Sequence, residues 1–176
     1  APVDPGPGTG EYSLVLENAS GQVLAERFFD VSRTIGPPGG PAPVGTFWVH
    51  MLWDPAAARI VLRKGNQELA ARSVSAHVPQ VTVLQPTGGE TWIGRQQVRW
   101  QANDEDGDAL TYLVMYSRDG GATWSPVGIN ITRTTYTLNA DTLPGADRAM
   151  IRVVASDGVR SNHGDSGLFT VPGKAP

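Results

Sequence analysis

The sequence predicts an all-β protein built as two β-sandwich domains in tandem. Helical periodicity is nearly absent, its best stretch being the single turn Asp54-Pro55-Ala56-Ala57-Ala58-Arg59. Short alternating apolar and polar runs recur along the whole chain. Gly, Pro, Asn and Asp punctuate them, with 21 glycines and 14 prolines among 176 residues and no fixed period. Hydrophobic residues make up 40% of the chain and five are tryptophan, enough to fill a core.

Taken in order, residues 1–9 read as a Pro/Gly-rich linker cut from a longer protein. Residues 10–78 form the first domain. Its strands are predicted over 11–17, where Tyr12, Leu14 and Leu16 share a face, and over 22–32, 47–53, 59–63 and 68–75. Residues 36–45 hold four prolines and are too stiff and broken for a strand. Pro79 opens the second domain, 79–172, followed by a tail at 173–176. Its strands are predicted over 81–85, 97–102, 110–117, 124–129, 134–138, 149–155 and 167–171. Seven strands is the count of an immunoglobulin-like or fibronectin type III sandwich. Alternation puts Val98, Trp100, Tyr112, Val114, Tyr116, Ile151, Val153, Ala155, Phe169 and Val171 in its core.

Composition excludes several functions. A net charge of −3 with both signs dispersed gives no basic stripe for nucleic acid. The absence of cysteine removes disulfides, thiolate metal sites and thiol nucleophiles. No apolar run approaches the roughly 20 residues a spanning helix needs, so no membrane insertion is expected.

The densest chemistry is the run Asn103-Asp104-Glu105-Asp106-Gly107-Asp108. Carboxylates this close repel unless water or a cation screens them, and oxygen ligands on a turn suit calcium. An EF-hand is ruled out because Ala109 and Met115 stand where a Gly and a Glu are required. The expected ligands are Asp104, Asp106 and Asp108, with Asp157 as the distant contributor; the alternative is a solvated turn. No other cofactor is expected. His50, His77 and His163 are isolated from one another and share no zinc-ligand spacing. His163-Gly164-Asp165-Ser166 has the letters of a triad, but neighbours along a loop lack its geometry. Pairing the acidic run with Asp119 as a glycosidase dyad fails for want of an apolar pocket to raise one pKa. No catalytic residue is assigned. Phe47, Trp48 and Trp53 place aromatic surface on both faces of their predicted strand, as core, domain interface or an exposed binding platform.

The segment Ser117-Arg118-Asp119-Gly120-Gly121-Ala122-Thr123-Trp124 reads as a hairpin device. Asp119 is expected to accept backbone N–H bonds, Gly120 and Gly121 to supply positive φ, and Trp124 to pack the returning strand.

From Pro79 onward the chain resembles bacterial fibronectin type III/immunoglobulin-like modules found at the C-terminal ends of large secreted or surface proteins, peptidases among them. The residues carrying the resemblance include Pro86-Thr87-Gly88-Gly89-Glu90-Thr91-Trp92, Val98-Arg99-Trp100, Asp104-Glu105-Asp106-Gly107-Asp108 and Ala155-Ser156-Asp157-Gly158. The last two are also similar to the acidic turns of cadherin-like repeats, a likeness that implies calcium. Ser117, Asp119, Gly121 and Trp124 match the Asp-box pattern of sialidases and other β-propellers, where it is structural. A propeller needs several copies, whereas this chain has one. The resemblance implies an extracellular or cell-surface accessory module, non-catalytic in itself, acting as spacer, stabiliser or interaction domain. Its expected partners are the rest of the parent chain and a surface polymer or protein. The rival expectation is a carbohydrate- or protein-binding module using exposed aromatics, and a hydrolase stands third.

Overall fold

A computed structural model describes residues 6–33 and 45–173. Its contacts divide the chain into two compact units, Ala1–Val74 and Ser75–Pro176.

In the first unit, β1 (Tyr12–Glu17), β2 (Val23–Phe29), β5 (Arg59–Lys64) and β6 (Gln67–Ser73) form one antiparallel sheet in the order β2-β1-β5-β6. β3 (Ser32–Arg33) and β4 (Gly45–Thr46) pair as a short ribbon. Asn18 makes the β1–β2 turn: its Oδ1 accepts the N–H groups of Ser20 and Gln22 at 3.0 and 2.9 Å. β1 is a central strand, and both of its faces are covered. On one, Tyr12 stacks on Phe29 at 6.0 Å and Phe29 on Phe47 at 4.6 Å. The other carries Ser13, Val15 and Glu17, all buried, with Val61 opposite Val15. The predicted strand 22–32 breaks after Phe29, and β3 is what continues it.

Residues 47–53 correct the sequence expectation, because they form no strand. Their aromatic, aliphatic pattern fits a pleated surface, but a strand exists only where a neighbour accepts its ladder. Pairing stops at Thr46, and the His50 carbonyl instead accepts from Arg27 Nε at 3.2 Å.

The second unit is a sandwich. One sheet has the order β11-β8-β7, from β7 (Gln80–Gln85), β8 (Arg95–Asn103) and β11 (Thr135–Asn139). The other has the order β10-β9-β12-β13, from β9 (Thr111–Ser117), β10 (Ser125–Ile131), β12 (Ala146–Ser156) and β13 (Ser161–Asp165). β14 (Phe169–Val171) pairs with the start of β12. A three-stranded sheet facing a five-stranded one that includes β14, with sequential strands exchanged between sheets, is a fibronectin type III/immunoglobulin-like arrangement. All ten core residues expected from alternation are buried, joined by Trp92, Leu138, Ala140, Leu143 and Ala149. Trp92 packs on Phe169 at 4.7 Å and Trp100 on Tyr112 at 5.2 Å.

β13 is the strand the sequence pattern hides. Ser161, Asn162, His163 and Asp165 are polar and exposed, as an edge strand allows. Gly164 is half-buried for a spatial reason: a Cβ there would stand 2.6 Å from the Val81 carbonyl oxygen of β7. Only glycine lets the two edges of the sandwich approach so closely.

Candidate functional site

β8 ends at Asn103, and the chain turns through the acidic run before β9. Asp104 organises that turn. Its Oδ1 accepts the N–H groups of Asp106 at 3.0 Å and Asp108 at 3.4 Å, and its carbonyl accepts from Gly107 N at 3.2 Å. The side chains of Asp104, Asp106 and Asp108 converge, with one oxygen from each within 4.8 Å of the others. Asp104 is 8% exposed; Asp106 and Asp108 are at the surface.

The segment leading into β7 reaches back to these carboxylates. His77 donates its backbone N–H to Asp106 Oδ2 at 2.7 Å, and its Nδ1 lies 3.0 Å from Oδ1. Its Nε2 is 3.7 Å from Glu105, and the Ser75 hydroxyl donates to Asp108 Oδ2. The hydrogen bond to Asp106, then the charge of Glu105, raise the His77 pKa above its ordinary value. The same backbone and ring hydrogen bonds hold Asp106 below the usual carboxylate range. Sequence spacing gave no sign of this partner, since 29 positions separate His77 from Asp106.

Asp157 lies at the same end of the sandwich, where Ser156 pairs with Thr111. It is 4% exposed, and its Oδ1 accepts the N–H groups of Val159 and Arg160, each at 2.6 Å. It therefore caps its own turn, and the converging group is Asp104, Asp106 and Asp108.

The Ser117–Trp124 hairpin is closed by its own side chains. Ser117 Oγ donates to Asp119 Oδ1 at 2.7 Å and accepts from Gly121 N at 2.8 Å. Asp119 Oδ1 accepts Thr123 N at 2.8 Å, and Oδ2 accepts the Thr123 hydroxyl at 2.5 Å. Gly120 and Gly121 have φ of +71° and +93°, where a side chain would be strained. Gly120 N also reaches the Arg148 carbonyl at 2.9 Å, tying the turn to β12. The hydrogen bonds from the Thr123 hydroxyl and N–H, then from the Ser117 hydroxyl, hold the Asp119 carboxyl down at about 2. Trp124 lies under the Arg152 guanidinium, 4.2 Å from its ring centre. Arg152 in turn grips Asp165 through Nε and Nη2, both at 2.7 Å.

These placements bear on catalysis. A carboxylate held near 2 is a poor general base or acid near neutral pH. Asp165 is committed to Arg152. Ser166 is buried, its Oγ accepting from Ile151 N at 2.9 Å and donating to the Gly167 carbonyl at 2.8 Å. His163 stands exposed on β13 opposite Val154.

In the first unit, Glu17 is 4% exposed and lies between two arginines. Its Oε2 is 3.1 Å from Arg59 Nη1, and its Oε1 meets Arg63 Nη2. Arg59 also reaches Glu68 at 2.6 Å. The aromatics of 47–53 are outward: Trp48 is 92% exposed, Trp53 48% and Phe47 41%.

No family model and no curated protein matches the sequence. Several solved structures are similar at low level. The FN1–FN3 domains of chicken CNTN1 share 13% identity, with a TM-score of 0.37, over 96% of this chain and 59% of that one. A β-1,2-glucanase from Parabacteroides distasonis shares 18% identity, with a TM-score of 0.36, over 94% of this chain and 26% of that one. The chain thus spans less than two thirds of either neighbour. The class itself rests on topology: an all-β chain whose second unit is a fibronectin type III/immunoglobulin-like sandwich.

Proposed function

We propose that the chain is a non-catalytic accessory module at the C-terminal end of a larger secreted or cell-surface bacterial protein, acting as spacer, stabiliser or interaction domain. The observation that carries this reading is how the turn side chains are used. Asp119, Asp157 and Asn18 each turn one side-chain oxygen to backbone N–H groups of their own turns, and Asp165 gives both of its oxygens to Arg152. Such groups build loops that resist opening and digestion, a useful property outside the cell. The Ser117–Trp124 segment, an Asp box by its motif, belongs to the same economy of local closure. The sequence resemblance supplies the kind of parent, a peptidase or another hydrolase. A broad hydrolase panel run on the isolated chain is expected to give no turnover, together with slow proteolysis of residues 75–173. Turnover abolished by changing a single side chain would overturn the reading.

A second reading is favoured by the aromatic segment. Trp48, Trp53 and Phe47 present apolar surface to solvent on one stretch of chain, and stacking on a sugar ring or a peptide would cover it. Tryptophan fluorescence titrated with surface polysaccharides and peptides separates the two. Saturable quenching lost in Trp48→Ala makes the chain a binding module, whereas a flat response leaves it a spacer.

A further inference from the structure

We propose that the turn after β8 is a calcium site, held by Asp104, Asp106 and Asp108 with water completing the shell. The inference stands apart from the accessory-module reading, because it concerns what this turn binds whatever the chain is attached to. Two independent observations meet here. The first is convergence: one oxygen from each aspartate lies within 4.8 Å of the others. Oxygens that share a calcium ion, each bonded at roughly 2.4 Å, stand no farther apart than about twice that length, so the three are gathered on the scale of one ion.

The second is an orphaned atom. Asp104 is 8% exposed. Its Oδ1 is occupied by the N–H groups of Asp106 and Asp108, while its Oδ2 is shut off from solvent with no hydrogen-bond partner among the described residues. Burying an anionic oxygen without a donor is costly, and native structures seldom leave one so. Asp119 shows what a turn carboxylate looks like when protein donors suffice, since both of its oxygens accept hydrogen bonds. What Asp104 Oδ2 lacks is a donor, and the side chains that share its turn supply only more carboxylate.

The donor set selects the ion. Oxygen ligands of high negative charge on a flexible turn suit calcium, which accepts six to eight of them in loose geometry. Magnesium needs a stricter octahedron, and zinc favours nitrogen and sulfur. The contacts from His77 to Asp106 and from Ser75 to Asp108 bring the segment before β7 onto the same carboxylates. The ion therefore sits where the start of the sandwich is fastened to its first acidic turn.

Calorimetric titration of the chelator-treated full chain with calcium chloride tests the site, with thermal unfolding followed in parallel. One saturable event is expected, with a dissociation constant of about 0.1–1 mM, the range of modules with few ligands. The melting temperature should rise with calcium concentration by mass action. Asp104→Asn and Asp106→Asn should each weaken binding by about tenfold or more, as loss of a ligand does, while Asp119→Asn binds as the wild type does. If Asp104→Asn fails to fold, Asp106→Asn and Asp108→Asn decide the matter. No saturable heat up to about 10 mM calcium, undiminished binding in Asp106→Asn, or equal affinity for magnesium chloride or zinc chloride would each overturn the assignment.

Discussion

The two units of the chain fill their interiors with different chemistry. In the second, Val98, Val114, Ile151 and Val153 are fully hidden inside one apolar cluster. In the first, the sheet buries Glu17 beside Val15 and pairs it with two arginines on β5. Apolar burial is non-directional and scales with area, so the second core depends on alternation alone. A buried carboxylate depends on partners at fixed places across the sheet, and so on register. Glu17 faces Arg59 directly in the β1–β5 ladder. A slip of one residue would turn it away from its cations.

The sharpest way to separate the two is to damage each by its own currency. Ile151→Ala removes a fully buried side chain from the middle of β12. It should cost roughly 2–5 kcal/mol, read from denaturant unfolding followed by the near-ultraviolet signal of Trp92 and Trp100. The loss should be the same at low and high salt. Glu17→Gln keeps the size of the side chain and removes its charge. Its expected cost is about 2 kcal/mol, less than for a wholly buried pair, because both arginines reach solvent. That gap should narrow as salt is raised. A cost for Glu17→Gln that ignores salt would mean that the first unit, too, is held mainly by shape.

This contrast explains how much was legible beforehand. The sandwich core could be read residue by residue because Val98 and Trp100, or Ile151, Val153 and Ala155, point inward on a strict period of two. β13 could not, since an edge strand has no need of apolar residues and its one constraint, the close approach of Gly164 to Val81, is a fact of three dimensions. Residues 47–53 failed in the opposite sense: the letters of a strand were present, but no strand among the described residues pairs with them. The acidic turn was visible as a charge run, and the Ser117–Trp124 hairpin as a motif. The orphaned Asp104 oxygen and the reach of His77 were not, because burial and a contact spanning 29 positions leave no mark in local spacing.

The smallest expected effect bears on the second unit alone, and asks whether its turns rest on charge as the first unit's sheet does. The Asp119 carboxyl is held at about 2 in the folded chain, against about 3.9 for an unfolded aspartate. A group whose folded pKa is depressed stabilises the ionised, native state. That contribution is complete above about pH 4 and disappears as pH falls through about 2, where the folded carboxyl also takes its proton. Glu90 and Asp106 are likewise held low and will titrate over neighbouring pH, so the wild-type curve alone cannot assign the loss. The difference between wild type and Asp119→Asn can. The variant should melt lower at pH 7, and the gap should close between pH 4 and pH 2 as the wild type loses its charge. Because the carboxylate is open to water, the gap should be smaller than that of either substitution above. A gap that persists unchanged at pH 2 would show that the hydrogen-bond geometry of the Ser117–Asp119–Thr123 turn, rather than its charge, is what holds the hairpin.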